Sequence, residues 1–361
     1  MAIVRFTYTG ADGEHIPDEA THITVAEDCT FVRARAFARH RNIVELVCRE
    51  NVKRIGRDAF QGCQELRRVI MPGVKIVEQW AFGCCRALED IRCGKLEIIK
   101  ESAFNTCCYL RLRSINLPSI RIVGEYAFCN CGPLVDVKFG KKLERIERGA
   151  FYGCFSLERI TIPLKDGLIT EDDIFQGCYD LKHIDLVEGA VLHETVASLQ
   201  LNEWRNDMNE EIDSINRILP NARAGHYFEN DDYAEHDPGR KARVIRRWIR
   251  SVLGEIIHYK SEHQRILDEA AATLQLALPQ DIVMNNILPF LQLPSHTLDG
   301  EYDYSFEGDE DYSLEVEEGS VEEEEDSVEE EEDSVEGGDH EDEEGDRVES
   351  ESLTRCCCCI Q

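Results

Sequence analysis

Residues 55–72 have the sequence IGRDAFQGCQELRRVIMP, and this pattern returns along the first half of the chain. Its phenylalanine recurs at intervals of 23, 22, 22, 24, 23 and 24 residues, at Phe37, Phe60, Phe82, Phe104, Phe128, Phe151 and Phe175. A period of this length is typical of a solenoid, in which each coil of chain stacks on the one before it. The sequence therefore predicts a solenoid of about seven coils over residues 28–190.

Other positions keep a fixed distance from each phenylalanine. In the quoted stretch an aliphatic residue lies five places before it, at Ile55, a leucine six places after, at Leu66, and a second aliphatic nine places after, at Val69. Cysteine lies three places after it in six coils, at Cys63, Cys85, Cys107, Cys131, Cys154 and Cys178. We expect these side chains to line one continuous core, because every coil places them in the same positions.

Some coils also contain a short segment of the form Leu-x-x-Ile-x-(Leu or Ile)-Pro, as at Leu112–Pro118 and Leu157–Pro163. This segment predicts a β-strand that ends at proline, which cannot continue a ladder. The full consensus resembles a leucine-rich repeat of the BspA-like class. The resemblance implies an α/β leucine-rich-repeat solenoid, and it implies recognition of another protein without naming that protein. Independently of it, the stacking of coils predicts that the strands align in one parallel sheet.

Both ends of the solenoid are predicted to carry a cap. Residues 1–27 contain two alternating segments, Val4–Tyr8 and Thr21–Val25, which predict a hairpin or strand pair over the first coil. Residues 194–294 change to a helical period, which predicts a hairpin of helices and a short third helix at Gln280–Leu293. This module is interpreted as a helical cap, and a small dimerising bundle is the alternative.

The longer predicted helix carries an apolar stripe with alternating steps of four and three residues. Its members are Ile245, Ile249, Val252, Ile256, Tyr259, His263, Ile266 and Ala270. This is the heptad spacing of a coiled coil and suits an antiparallel helix pair. The shorter helix, from Trp204 to Leu219, is expected to end at Pro220.

Most of the chain's formal charge of −32 lies in its last part. Residues 299–361 contain 29 Asp and Glu against two Arg, a net charge of −27, which leaves −5 for residues 1–298. Charges of one sign at this density cannot bury a core, so we expect a disordered acidic tail. This strong acidity argues against general binding to nucleic acid, because phosphate backbones require a positive counter-surface.

The repeated cysteines are predicted to be reduced and structural. The N-terminus carries no apolar leader, so a reducing, cytoplasmic location is expected. One thiol per coil gives a line of thiols without the grouping that a tetrahedral metal site requires. We therefore predict no metal and no cofactor. The sequence also contains no phosphate-binding loop and no nucleophile elbow, and we predict that the protein is not an enzyme.

The outward side of the predicted strands is the candidate site for a partner protein. Residues on either side of the buried aliphatic position point away from the core. Nine of them are assigned to partner binding: Arg68, Asp90, Arg92, Asn116, Asp136, Lys138, Arg159, His183 and Asp185. The alternative is a solvated face on which neighbouring coils form ion pairs.

A basic run surrounds Trp248 in the longer helix: Arg240, Lys241, Arg243, Arg246, Arg247 and Arg250. Such a helix is typical of calmodulin targets and membrane surfaces. We favour a partner inside the chain, which is either the acidic tail or the carboxylates of the facing helix. Those carboxylates are Glu203, Asp207, Glu210, Glu211 and Asp213.

Two shorter motifs give alternative predictions. Residues 278–291, LPQDIVMNNILPFL, resemble the first helix of an F-box, which implies a ubiquitin-ligase substrate adaptor as a second function. The final residues, CCCCIQ, resemble a prenylation signal on Cys358, with Cys356 and Cys357 as sites for a second lipid. Membrane association is expected only if these cysteines are lipidated.

Overall fold

In the computed structural model, the repeats form a parallel β-solenoid of about seven turns, followed by helices. The structure describes residues 3–105, 112–187, 202–224 and 240–275, which all belong to one compact unit, Met1–His296. Segment 278–291, the predicted helix Gln280–Leu293, the tail 299–361 and the cysteines Cys356, Cys357 and Cys358 lie outside the described residues. Among the described helices, none is long and apolar enough to span a membrane.

The expected single sheet is wrong, because the strands lie on two faces and a turn contributes a strand to one or both of them. The front sheet contains β1 (Arg5–Tyr8), β2 (His22–Val25), β4 (Glu45–Val47), β6 (Arg68–Ile70), β8 (Asp90–Arg92), β10 (Ser114–Leu117), β12 (Asp136–Phe139), β14 (Arg159–Ile162) and β15 (His183–Leu186). The back sheet contains β3 (Phe31–Val32), β5 (Arg54–Ile55), β7 (Ile76–Val77), β9 (Ile98–Ile99), β11 (Ile122–Val123) and β13 (Arg145–Ile146). All paired strands are parallel, and equivalent repeat positions face each other.

The front sheet is divided where the repeat is irregular. Its strands form one group of five, β1 to β8, and one group of four, β10 to β15, whereas the back sheet pairs six strands in one order. The division coincides with the coil of Phe104, in which two additional residues precede Leu112. An insertion on one side of a coil disturbs the strand that follows it and leaves the strand before it in register.

A stack of phenylalanine rings fills the centre of the solenoid. Rings in successive coils lie 4.7–5.9 Å apart between centroids, with interplanar angles of 3–14°. None of the seven rings is more than 2% exposed. The spacing follows that of neighbouring strands, about 4.8 Å. Tyr8 closes the N-terminal end of the stack, with its ring 5.1 Å from Phe37 and tilted by 60°.

The cysteine row has a repeated role beside these rings. The Cys63 thiol donates to the backbone carbonyl of Phe37, and the Cys85 thiol donates to that of Phe60, with Sγ–O distances of 3.0 and 3.2 Å. The same contact, between 3.1 and 3.3 Å long, is made by Cys131, Cys154 and Cys178. Burial raises the pKa of the Cys63 thiol to about 12, which keeps its proton on sulfur. In the described residues the row is thus a ladder of weak hydrogen bonds between coils.

Left-handed backbone recurs two residues before and two residues after most of the phenylalanines. The positions two residues before the phenylalanine have φ between 51° and 58°, at Arg35, Asp58, Trp80, Ser102, Tyr126 and Gly149. The positions two residues after it have φ between 59° and 76°, at Arg39, Gly62, Cys84, Asn130, Gly153 and Gly177. This alternation lets the N–H groups of Asp58, Phe60 and Gly62 all donate to the next coil, with N–O distances of 2.8–3.0 Å. Neighbouring coils are therefore joined by backbone as well as by side chains.

The N-terminal segments form a strand pair, and the hairpin alternative is wrong. β1 and β2 run parallel, with Arg5 opposite His22 and Tyr8 opposite Val25. A tight turn can join only antiparallel strands, and the connection between Tyr8 and His22 is long enough for a crossover. The segment therefore continues the front sheet by two strands.

An antiparallel helix pair follows the repeats, made of α1 (Asn202–Ile218) and α2 (Lys241–Gln275). A 3₁₀ turn at Leu219–Asn221 ends α1 at the predicted proline. The Trp248 indole Nε1 donates to the backbone carbonyl of Glu211, at 3.0 Å. Farther along, the Tyr259 hydroxyl donates to Asp207, also at 3.0 Å. The helices therefore run in opposite directions, as predicted.

The apolar stripe of α2 departs from the predicted heptads at its end. Ile266 is 39% exposed, and Ala270 is only partly buried, whereas Leu267 and Ala271 are buried. After Tyr259 the buried positions follow steps of four residues. A straight helix has 3.6 residues per turn, so a strict 3.5-residue pattern drifts off the buried side.

The helix pair covers the last coil, as expected for a cap. The Asn216 side chain accepts from the Ile184 N–H at 2.9 Å and donates to the Ile184 carbonyl at 3.3 Å. It therefore satisfies the free edge of β15, as another strand would. The Lys241 ammonium is buried and donates to the carbonyls of Cys178, Tyr179 and Leu181, at 3.0, 3.0 and 2.7 Å. These contacts end the stack of coils.

Candidate functional site

The outward residues of the front sheet form a row across the strands, and we call this row the front face. Its members alternate with buried residues: Val69 lies between Arg68 and Ile70, and Ile160 lies between Arg159 and Thr161. The strand periodicity of two holds each outward side chain at a fixed height. All nine residues predicted for partner binding are exposed or partly exposed on this face.

Seven of the nine predicted residues take part in ion pairs. Arg159 is joined to Asp185 of the next coil at 2.6 Å, and Arg68 is joined to Glu45 of the preceding coil at 2.8 Å. Pairs within one strand join Arg92 to Asp90 at 3.0 Å and Lys138 to Asp136 at 3.6 Å. The hydrogen bond that Arg159 donates to Asp185 raises the pKa of Arg159. The predicted alternative of cross-coil ion pairs is therefore present on the same surface.

The cation is the more exposed partner in each of these pairs. The exposed fractions of the side chains are 54% for Arg68 against 17% for Glu45, and 71% for Arg92 against 38% for Asp90. Because the carboxylates lie lower, the face offers mainly N–H donors to solvent. Asn116 and His183 are also exposed and have no side-chain partner among the described residues. This surface therefore suits a partner that supplies hydrogen-bond acceptors.

A cleft of 590 Å³ lies at the C-terminal end of the front face, and we call it the end cleft. It is lined by Lys138, Thr161, Ile184, Asp185, Leu186, Ile212, Asp213, Asn216 and Trp248. Strands β12, β14 and β15 supply one wall, and α1 and α2 supply the other. Two predicted residues, Lys138 and Asp185, are thereby brought together with side chains of the helical cap.

The repeat pattern, the two sheets and the front face can be compared with known proteins. A family model of the BspA type leucine-rich repeat region matches residues 30–112 and 108–194, in six copies. Residues 30–194 are a BspA-type leucine-rich repeat region. This confirms the resemblance that the consensus carries. Comparison with curated proteins gives no match.

Solved structures with similarity to the chain include several bacterial leucine-rich repeat proteins. The T. pallidum leucine-rich repeat protein is 22% identical, with a TM-score of 0.35, and the match covers 50% of this chain and 73% of that protein. The pneumococcal vaccine antigen PcpA is 16% identical, with a TM-score of 0.30 and coverage of 50% and 66%. A leucine-rich repeat protein from Bacteroides ovatus is 21% identical, with a TM-score of 0.21 and coverage of 47% and 62%. Similarity at this level says nothing about a partner.

The basic run of α2 binds the last coil of the BspA-type region. Arg243 and Arg246 both pair with Asp172, the latter at 3.1 Å, and Arg250 lies 3.4 Å from Asp166. The expectation of a partner inside the chain is confirmed for these residues, but the predicted carboxylates of the facing helix are not their partners. The reason is the orientation of α2, whose apolar side meets α1 while these arginines meet the solenoid.

Sequence reasoning missed two features of this region. The first is the wall of the end cleft formed by Ile212, Asp213 and Trp248, because residues of the cap have no periodic relation to the repeats. The second is a row of partly buried isoleucines on the back sheet, Ile76, Ile98 and Ile122, which face each other in register. In each of these two-residue strands a partly buried residue precedes a buried one, and this alternation could have predicted the row.

The described residues contain no group of three or more His, Cys, Asp or Glu side chains that could hold a metal ion. The described cysteines form no disulfide. Five of the six cysteines in the predicted row donate to phenylalanine carbonyls, so packing accounts for their repetition, and Cys107 lies outside the described residues.

Proposed function

We propose that this protein is a non-catalytic scaffold that recognises a partner protein across the front face. The observation that supports the proposal is the fixed row of exposed donors, held in register by parallel strands above a fully buried core. A rigid surface loses little conformational entropy on binding, so its contacts contribute more fully to affinity. Leucine-rich repeat folds are commonly used in this way.

The nine predicted residues differ in how freely they can contact a partner. Asn116 and His183 are available for contacts without the loss of an existing pair. Arg68, Arg92 and Arg159 must keep or exchange their carboxylates when a partner binds, and such exchanges add specificity more than affinity. We therefore expect Asn116 and His183 to report binding most directly.

Site-specific photo-crosslinking in the full-length protein tests the proposal. A photo-reactive amino acid at Asn116 or His183 should capture a partner from cell extract, and the captured peptide should be the same from both positions. The matched control places the same group at Arg54, which is exposed on the back sheet. Equal capture from Arg54, or capture from Arg54 alone, would contradict the assignment of the front face.

A cytoplasmic location, and membrane attachment through Cys356, Cys357 and Cys358, remain part of the proposal on the strength of the sequence alone. Mass spectrometry of the native C-terminal peptide tests the attachment. A prenyl mass on Cys358 supports it, whereas four unmodified thiols with Gln361 retained would exclude it.

A further inference from the structure

The end cleft combines carbon surface with one exposed carboxylate, Asp213, in a volume of 590 Å³ that is large enough for a long side chain. We propose that it holds one arginine or lysine of the partner protein, with the alkyl stem against Ile212 and Trp248 and the cationic head at Asp213. This inference rests on the proposed function and adds to it the chemical class of the residue that the cap selects. Asp213 would then be a residue that determines specificity.

The walls of the end cleft offer carbon surface. Ile184 and Trp248 are buried, and Leu186 and Ile212 are partly buried where they line it. The only polar group of the Trp248 side chain is already used, because its Nε1 donates to the Glu211 carbonyl. A long alkyl stem therefore meets apolar contacts, and a cation gains from a neighbouring indole ring.

Most polar groups of the end cleft are committed to partners within the chain. Asn216 uses both atoms of its amide on the backbone of Ile184. Asp185 receives the Arg159 guanidinium at 2.6 Å, and the Lys138 ammonium lies 3.6 Å from Asp136. Asp213 is exposed and has no ion-pair partner among the described residues. One carboxylate thus remains as an uncommitted acceptor.

The charge of this acceptor decides between occupants. A carboxylate beside an apolar wall forms its strongest hydrogen bonds with guanidinium or ammonium groups. An acidic side chain is repelled there, and a neutral one leaves Asp213 without a partner. The chain's own residues 299–361, with 29 acidic side chains and two basic ones, carry the wrong charge for this cleft. A basic residue of another protein is the complementary occupant.

Selection from a randomised peptide library on the full-length protein tests the inference. We expect enriched peptides to share an arginine or lysine, and Asp213→Asn to weaken a selected peptide about tenfold, the equivalent of one charge-assisted hydrogen bond. Glu203→Gln is the matched control, because Glu203 is another exposed carboxylate of α1. It should leave the affinity unchanged. Both variants replace exposed groups and should unfold at the temperature of the parent protein.

A double-mutant cycle locates the contact. Replacement of the peptide arginine by citrulline, its neutral analogue, should weaken binding to the parent protein about tenfold and should have no further effect on Asp213→Asn. Enriched peptides without a basic residue, or equal affinity for the parent and Asp213→Asn, would overturn the inference. If crosslinking from Asn116 and His183 still succeeds in that case, the proposed function stands, and if it fails, both are refuted.

Discussion

Two junctions in this molecule hold neighbouring parts together in different ways. Between one coil and the next, the same phenylalanine stack, thiol contact and backbone hydrogen bonds occur again and again. Between the last coil and the helices, contacts such as Lys241 to three carbonyls or Asp172 to two arginines each occur once. The coil junction depends on burial of carbon surface, and the cap junction depends on buried and partly buried charge. The two should respond differently to mutation and to pH.

The largest effect is expected at the coil junction. Phe128→Ala removes a fully buried ring that stacks on Phe104 and Phe151, at 5.3 and 5.5 Å. Loss of a buried aromatic side chain costs about 3–5 kcal/mol of unfolding free energy. Urea denaturation measures this loss. Phe31→Ala is the control, because Phe31 is 47% exposed at the edge of the back sheet, and it should change the free energy of unfolding little. Equal losses would show that stacking is not what joins the coils.

A smaller effect, confined to one end, is expected at the cap junction. Asp172→Ala leaves Arg243 and Arg246 without their carboxylate in a partly buried contact, at a cost of about 2 kcal/mol. Hydrogen exchange should increase in the first half of α2 and stay constant in the coils of Phe60 and Phe82. Glu269→Ala breaks the exposed pair with Arg265 and serves as control, with an expected cost of about 0.5 kcal/mol or less. Faster exchange throughout the solenoid would show that the cap and the coils unfold together.

The two junctions should also differ in the direction of their pH dependence. Burial raises the pKa of Cys48, Cys63 and Cys93 from 9.0 to about 12. Their contribution to stability is therefore complete below pH 9 and is lost between pH 9 and 12, by about 1.4 kcal/mol per thiol and pH unit. Burial lowers the pKa of Lys241 from 10.5 to about 8, so its charged form opposes folding below pH 8 and this cost is removed between pH 8 and 10.5.

Since three thiols act against one lysine, we expect the urea midpoint to fall from pH 9 upward. Cys63→Ser keeps a donor for the Phe37 carbonyl, but the serine hydroxyl does not titrate in this range. The urea midpoint of this variant should therefore fall less steeply with pH, by the contribution of one thiol. An identical slope for this variant would exclude Cys63 as a source of alkaline instability.

The smallest effect on stability is expected on the front face. Asn116→Ala removes an exposed amide and should change the free energy of unfolding by less than about 0.5 kcal/mol. The same variant should reduce capture of a partner by a photo-crosslinker at His183. A destabilised Asn116→Ala protein would assign this residue to the fold instead of to binding.

The predictability of each junction follows from repetition. Phe60, Cys63 and Leu66 could be placed in the core from sequence because five further coils repeat their spacing, and each repetition tests the assignment. The thiol contacts themselves were missed, since spacing identifies a buried position but not the atom that receives its hydrogen bond. Likewise, the sequence could not predict the left-handed backbone conformation of Trp80, because tryptophan rarely adopts it.

The cap contacts lacked any such pattern. Lys241 meets carbonyls 60 to 63 positions earlier in the chain, and Asn216 meets Ile184 across 32 positions. The sequence predicted a basic run with a partner inside the chain, but it offered only the facing helix and the acidic tail as that partner and missed the last coil. The actual partner depends on which side of α2 the solenoid occupies, which is a property of tertiary packing.

The way in which Lys241 and Asn216 finish the stack bears on how such a molecule can change length. A duplicated unit of 22 to 24 residues, introduced between the coils of Phe60 and Phe82, would find a ring and a carbonyl acceptor of the right kind on both sides. The same unit added after Phe175 would still offer the backbone groups that Lys241 and Asn216 bind, but it would move Asp166 and Asp172 away from the arginines of α2. We therefore expect a duplicated coil to cost less stability in the interior than at the C-terminal boundary.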